Sequence, residues 1–225
     1  MITIDQLIRT KRRTISIQIS SNGELIVRAP TRCSYAQIEK VVQDRIGWIR
    51  VHQERILKNN AINSNIISYR EVMFLGVTKP IIFDSKTKKI EYHETHFTIN
   101  EKYAENIPKI KKLVIGFMVE QAQEILINRV NYFANLMQLL PQSLSICNSK
   151  RVWGSCSKEA DIKLNWRLIM LPPDLIDYVV VHELSHIIEF NHSKLFWKLV
   201  GSVLPNYKER RALLKKGDFL LNLYR

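Results

Sequence analysis

The stretch VHELSHIIEFNH, residues Val181–His192, puts three histidines and two glutamates into a segment whose other residues are largely apolar. His182 and His186 are four positions apart, so on an α-helix their imidazoles point to the same side, about one turn apart. Two imidazoles in this arrangement are typical ligands of one tetrahedral zinc ion. Because histidines on an apolar face are costly to bury without a common partner, we interpret the pair as metal ligands.

Glu183 follows the first of these histidines and lies about 100° further round the helix. It cannot easily bind the same ion from there, but it can take a proton from water as a general base. His192 comes six residues after His186 and becomes a third ligand if the helix ends and the chain turns, for which Asn191 is suitable. Three protein ligands leave one position open, which is typical of a catalytic zinc site. Glu189 is the competing third ligand, or it orients a ligand imidazole.

A loop with the sequence RVWGSCS precedes this helix and supplies candidate substrate-binding residues. Arg151 either stabilises an oxyanion or anchors an anionic substrate group, or it is a surface cation. Trp153 is either a wall of the pocket or part of the core, and Asn165 is either a substrate hydrogen-bond donor or a residue that ends a strand. Gly154 permits close approach of the backbone. Cys156 has no second cysteine at ligand spacing, so a buried packing role is favoured over roles as a ligand or a nucleophile.

The start of the chain carries the signals of a β-hairpin and a helix. Residues 14–30 alternate between apolar and polar side chains on either side of Asn22-Gly23, which predicts a hairpin. Ser34 stands at the first position of a capping box, so a helix should begin there and extend to about Lys58.

A second group of strands is predicted to follow a polar linker at Asn59–Asn65. Four short β-type runs, VMFLG, KPIIFD, KIEYH and HFTIN, extend to residue 100 and are predicted to continue the hairpin as one small antiparallel sheet. We therefore predict an N-terminal β-rich region with one helix over residues 1–105.

The remainder, residues 106–225, is predicted to be a helix-rich catalytic domain. A long helix should run from about Pro108 to Leu139, and two strands, SLSICN and DIKLNWRLI, should precede a helix that ends near Glu189. Shorter helices are expected near residues 194–203 and 207–216. Because strands come mainly first and helices mainly later, the fold class is predicted to be α+β.

The composition indicates a globular chain with a large positive charge. Of its 225 residues 46% are hydrophobic, and the formal net charge is +13. Such a field attracts polyanions, so nucleic acid is a candidate partner, although the spread of the basic residues also suits a solvated surface. We expect no membrane span and no export signal. Three widely spaced cysteines argue against a disulfide framework, so we expect a reducing, cytoplasmic location.

Two segments, RVWGSCS and LNWRLIMLPPDLIDYVVVHELSHIIEFNHSKLFW, together resemble the YgjP-like metallopeptidase family. The N-terminal hairpin, the pair Trp48-Ile49 and the run FLG (Phe74–Gly76) also fit, so the resemblance covers essentially the whole chain. The family is similar to zincin peptidases, including the SprT-like and WLM groups.

This resemblance implies that His182, His186 and His192 bind zinc and that Glu183 is the catalytic base. It also implies a zincin core, in which a small sheet lies over the active-site helix and the long helix backs it. The implied function is a zinc metallopeptidase that acts on peptides or proteins, and the sheet edge near the WGSC run is a candidate site for an extended peptide.

Two alternatives remain at this stage. The family resemblance has been linked to nucleoside triphosphate pyrophosphohydrolysis, which the positive charge would suit, although no glycine-rich phosphate loop or carboxylate cluster is found. The SprT-like resemblance and the charge also favour a nucleic-acid-associated protein, which salt-dependent retention on DNA would reveal. The sequence does not indicate an oligomeric state.

Overall fold

The computed structural model describes residues 3–67 and 70–224, with side chains described outside residues 58–67. The chain forms two compact units, Met1–Ser64 and Asn65–Arg225, and the fold class is α+β, as predicted. The division predicted between residues 105 and 106 falls inside the second unit, and a catalytic domain that begins at residue 106 stays a prediction. None of the helices within the described ranges is long and apolar enough to cross a membrane.

Three strands form the sheet of the first unit: β1 (Gln6–Thr10), β2 (Ser16–Ile19) and β3 (Leu25–Pro30). The central strand, β3, lies antiparallel to β2 and parallel to β1. The predicted hairpin is confirmed, and Gly23 adopts a φ of +87° in its turn. The sequence did not predict β1, because QLIRT has two adjacent apolar residues and no alternation. Its strand conformation therefore depends on pairing with β3.

Two helices complete the first unit where one was predicted. The first, α1 (Tyr35–Asp44), begins with the predicted capping box at Ser34, and the chain leaves helical geometry at Arg45 (φ −112°, ψ 15°) before α2 (Ile46–Ile67) begins. The linker predicted at Asn59–Asn65 was wrong, because this backbone continues α2. Extending an existing helix adds one hydrogen bond per residue, which outweighs the weak helix propensity of asparagine and serine. The core of this unit consists of Leu25, Val27, Ala29, Ile38, Val42 and Ile49.

The second unit opens with a sheet of β4 (Glu71–Phe74), β5 (Val77–Asp84), β6 (Glu91–Tyr92) and β7 (Phe97–Asn100). All four predicted runs form strands, but their order is β4-β5-β7-β6, and β5 pairs with β7 in parallel. The prediction that they continue the hairpin in one antiparallel sheet was therefore wrong. The physical reason lies in burial: β7 buries three successive residues, which suits an inner strand, whereas both residues of β6 are exposed, which suits an edge.

A second sheet of this unit lies next to the helix that carries His182 and His186. The two predicted strands, β8 (Ser143–Cys147) and β10 (Asp161–Asn165), pair in parallel. A short strand that was predicted as loop, β9 (Gly154–Cys156), pairs antiparallel with β10, so β9 forms one edge of the order β8-β10-β9. Residues Trp166–Met170 form a buried 3₁₀ turn and do not extend β10, because the side chain of Asn165 caps the turn by accepting from the Arg167 N–H.

Helices fill the rest of the second unit. The long helix α3 (Ile107–Met137) confirms its prediction and packs against α4 (Pro173–Ser185). The end of α4 lies before the predicted Glu189, because the next backbone bonds are of the tighter 3₁₀ type, from Ile187 to Leu184 and from Ile188 to Ser185. Two further helices, α5 (Lys194–Val203) and α6 (Tyr207–Lys216), occupy their predicted positions.

Candidate metal centre

Two of the predicted ligands and the predicted base lie at the C-terminal end of α4. The helix is buried on most sides there, and Val179, Val180, Val181 and Leu184 are core residues. His186 is the C-cap and keeps helical dihedral angles (φ −69°, ψ −17°), so it stays one turn from His182. The centroids of these two imidazoles are 4.9 Å apart. The helix therefore delivers the paired geometry that the spacing predicted.

His192 reaches the same point from the turn that follows α4. Its Nε2 lies 3.0 Å from the Nε2 of His182, and its ring centroid lies 4.8 Å from that of His186. One ligand atom from each of the three histidines lies within 4.8 Å of the other two. Among the described residues, this is the group of side chains that could hold a metal ion. Glu189, the competing ligand, accepts from His186 Nδ1 through its backbone oxygen at 3.0 Å instead.

The donor set fits a divalent metal ion such as zinc. Because Nδ1 of His186 donates to a carbonyl oxygen, its Nε2 carries the lone pair that a ligand needs. A tetrahedral zinc ion with bonds of about 2.0–2.1 Å holds nitrogen ligands about 3.4 Å apart. For comparison, the Nε2 atoms of His182 and His192 are 3.0 Å apart, and the ligand atoms of all three histidines lie within 4.8 Å. Nδ1 of His182 is buried without a hydrogen-bond partner in the described structure.

Aromatic side chains from α5 enclose the three imidazoles. Phe196 is fully buried, and its ring lies 4.9, 4.6 and 4.7 Å from the rings of His182, His186 and His192. Trp197 stacks on His192 at 5.6 Å. The sequence did not predict this role for Phe196 and Trp197, although the run LFW that begins three residues after His192 was a signal for them.

Burial favours the neutral form of His182 and the protonated form of Glu183 in the absence of a cation. Burial first, and then His186, His192 and Arg211, lower the pKa of His182 to about 3. Burial raises the pKa of Glu183 from 4.5 to about 8. A neutral imidazole is the form that binds a metal, and a carboxyl group that titrates near neutral pH suits proton transfer.

Glu183 lies directly against the backbone of β9. A Cβ atom added to Gly154 would meet Cγ and Oε1 of Glu183 at 2.8 Å. The close approach predicted for this glycine is therefore the contact between the edge strand and the carboxyl group. A side chain at this position would force Glu183 to shift.

Two cavities adjoin this carboxyl group. One, of about 250 Å³, is lined by Arg151, Trp153, Tyr178, His182 and Glu183, together with Val152, Gly154, Val179 and Leu214. The other, of about 330 Å³, contains the three histidines, Glu183 and residues of β9, and Phe190 lies at its wall. Of the predicted substrate-binding residues, the structure thus brings Arg151 and Trp153 to the site.

Asn165 and Cys156, the other two candidates from the preceding loop and strand, have different surroundings. The amide of Asn165 is fully buried and donates to the backbone oxygens of Ser149 (2.7 Å) and Val152 (3.1 Å), which supports the strand-end alternative. Burial, Glu183 and Asp161 raise the pKa of Cys156 to about 11. Its thiol is therefore protonated at neutral pH, which argues against a nucleophile.

Comparisons with known proteins indicate the family of the chain. The model of the family described as YgjP-like, metallopeptidase domain matches residues 13–217. The crystal structure of the metallopeptidase zymogen of Pyrococcus abyssi abylysin is similar over 40% of this chain and 93% of that chain, with 23% identity and a TM-score of 0.37. No curated protein sequence matches the chain significantly. Because the family match spans most of its length, the chain belongs to the YgjP-like metallopeptidase domain family.

Proposed function

We propose that this protein is a zinc-dependent peptidase in which His182, His186 and His192 hold the ion and Glu183 is the general base. One observation carries the proposal: three imidazoles converge within 4.8 Å beside a buried carboxyl group. The membership of a metallopeptidase family supports it. Of the metals that bind imidazole, zinc matches three histidine ligands and an open position most directly.

When bound, the ion polarises the scissile carbonyl and makes water more acidic. The residues of the chain supply the rest of the chemistry. Glu183 accepts a proton from the attacking water and passes it to the leaving amine, and its burial favours the protonated form needed for the second step. The hydrogen bond from His186 Nδ1 to the Glu189 carbonyl fixes one ligand ring.

The edge strand β9 supports the predicted mode of peptide binding. The Asn165 N–H donates to the Trp153 carbonyl at 2.8 Å, and the Ser157 N–H donates to the Asp161 carbonyl at 2.9 Å. Because hydrogen-bonded residues alternate in an antiparallel ladder, the N–H and C=O groups of Gly154 and Cys156 point away from β10. An extended peptide can pair with these groups and pass directly over Glu183.

The first experiment measures the metal content and peptide hydrolysis of the full chain. We expect about one zinc ion per chain in the wild type and in Glu183→Gln, and much less in His192→Ala. Peptide cleavage should fall by at least about 100-fold in Glu183→Gln, because the general base is lost. His93→Ala removes an exposed histidine elsewhere and is the matched control.

Two results would contradict the proposal: a wild-type protein that binds no zinc, or a Glu183→Gln protein that cleaves peptides at the wild-type rate.

Nucleoside triphosphates form the second substrate panel. Gly154 is the one glycine that lines either described cavity, and it faces Glu183, so no glycine-rich phosphate loop favours that alternative. Cys33, Cys147 and Cys156 are free, and a reducing, cytoplasmic location stays a prediction.

A further inference from the structure

We infer that Arg211 is a specificity-determining residue that binds a carboxylate of the peptide substrate beside the metal centre. The inference rests on the peptidase function proposed above and extends it to a substrate class. Arg211 lies on α6, nineteen residues beyond the last ligand histidine, and no sequence motif marks it.

Arg211 lies over an aromatic ring and has no anionic partner within the described residues. Its guanidinium lies over the ring of Trp197, 4.7 Å from the centroid. Trp197 in turn stacks on His192 at 5.6 Å and on Tyr207 at 5.3 Å. Within the described residues no carboxylate lies within 4.0 Å of this guanidinium, in contrast to Arg129, which pairs with Asp177 at 2.7 Å.

The smaller cavity beside Glu183 lies close to this part of α6. Leu214 lines it and lies one helical turn from Arg211, on the same side of α6. Arg151 lines it from the loop before β9. Arg211 does not itself line the cavity but lies one helical turn from its Leu214 wall. Its remaining walls are largely apolar and include Val152, Trp153 and Val179.

The chemistry of the guanidinium group favours an anionic substrate here. A guanidinium group that lies over an indole keeps the N–H donors in its own plane free for an anion, and its planar fork matches a carboxylate. Arginine side chains that remain unpaired beside an apolar cavity favour an apolar residue that carries a negative charge. A cavity of about 250 Å³ suits one such residue. The anion is either the C-terminal carboxylate of a peptide or the side chain of an acidic residue.

The test uses matched peptides. N-acetylated alanine peptides are prepared with a free C-terminal carboxylate or as the amide, and a second amidated pair contains one glutamate or one glutamine. Binding is measured by calorimetry with the zinc-loaded Glu183→Gln protein, alone and combined with Arg211→Ala. Lys216→Ala is the charge-matched control, because its cation lies on the same helix about 140° round the axis. Cleavage of the same peptides is measured with the corresponding variants of the otherwise wild-type chain.

We expect the charged member of one pair to bind about tenfold more tightly than its neutral counterpart. Arg211→Ala should abolish this preference by weakening only the charged peptide, and Lys216→Ala should keep it. The pair that shows the preference identifies the C-terminal or the side-chain carboxylate. Equal binding within both pairs, or equal weakening of both members by Arg211→Ala, would overturn the inference. If the protein cleaves the peptides but shows no such preference, only this inference fails and the proposed function stands. If it binds the peptides with the preference but cleaves none of them, only the proposed function fails.

Discussion

The indole of Trp153 donates a hydrogen bond to Asp218, with 2.9 Å between Nε1 and Oδ1. Trp153 is 7% exposed and forms a wall of the cavity beside Glu183. Asp218 begins the short 3₁₀ helix after α6 and lies one residue beyond the part of the chain that the family model matches. A C-terminal segment outside the matched region therefore helps to hold the wall of the candidate active site.

Replacing Asp218 tests this link. Asp218→Ala removes the acceptor, so we expect the KM for a cleaved peptide to rise several-fold, with a loss of about 1 kcal/mol in the free energy of unfolding. Asp218→Asn keeps an acceptor oxygen and should stay close to the wild type. The zinc content should be unchanged in both variants. If the alanine and asparagine variants have the same KM, the hydrogen bond does not position the wall.

Gly154→Ala should separate catalysis from metal binding. The added Cβ would approach Cγ and Oε1 of Glu183 to 2.8 Å, so the carboxyl group has to move. We expect a fall in kcat of about 100-fold or more with zinc retained, because general base catalysis depends on position. The control is Gly116→Ala in α3, where a Cβ meets nothing within 4 Å. Unchanged kcat in Gly154→Ala would show that Glu183 has room to adjust.

Glu183 should make the metal-free protein less stable as the pH rises. Its folded pKa of about 8 lies above the ordinary value of 4.5, so the folded state retains a proton that the unfolded state releases. The stability contributed by this group is complete below the unfolded pKa and is lost as the pH rises through the folded value. In the presence of a chelator, Glu183→Gln should therefore be more stable than the wild type at pH about 9, by about 2 kcal/mol or more, and lose this advantage near pH about 4.

Denaturant unfolding of both proteins at several pH values measures this difference. His182 acts in the opposite direction, since its folded pKa is about 3. Its contribution is present above the ordinary value of 6.5 and is lost as the pH falls. The comparison of Glu183→Gln with the wild type cancels this second effect. A stability difference that does not change with pH would refute the assignment to Glu183.

Phe196→Ala should disorganise the three-histidine site, because it removes the ring that the imidazoles pack against. This ring is fully buried and contacts all three imidazoles at centroid distances of 4.6–4.9 Å. We expect a loss of about 3–5 kcal/mol in the free energy of unfolding of the metal-free protein, and weaker zinc binding in a competition assay with a chelating dye. Leu195→Ala, at a neighbouring side chain that is 59% exposed, should change neither. Zinc affinity equal to the wild type in Phe196→Ala would show that the turn holds the histidines without this support.

Local patterns in the sequence determined most of the helices and strands and the position of the histidine motif. The spacing of His182 and His186 places two imidazoles on one side of a helix, and Asn22-Gly23 specifies a hairpin turn, because both depend on residues that are neighbours in the chain. The boundaries of α3, α5 and α6 followed from apolar periodicity for the same reason.

Only the tertiary structure decided which distant residues meet. The parallel pairing of β1 with β3 and of β5 with β7 depends on the packing of whole elements. The contact of Gly154 with Glu183, the bond of Trp153 to Asp218 and the position of Arg211 over Trp197 join segments far apart in sequence. Such contacts have no local signal, because a side chain's partners across the fold are set by how helices and strands pack and not by spacing along one element.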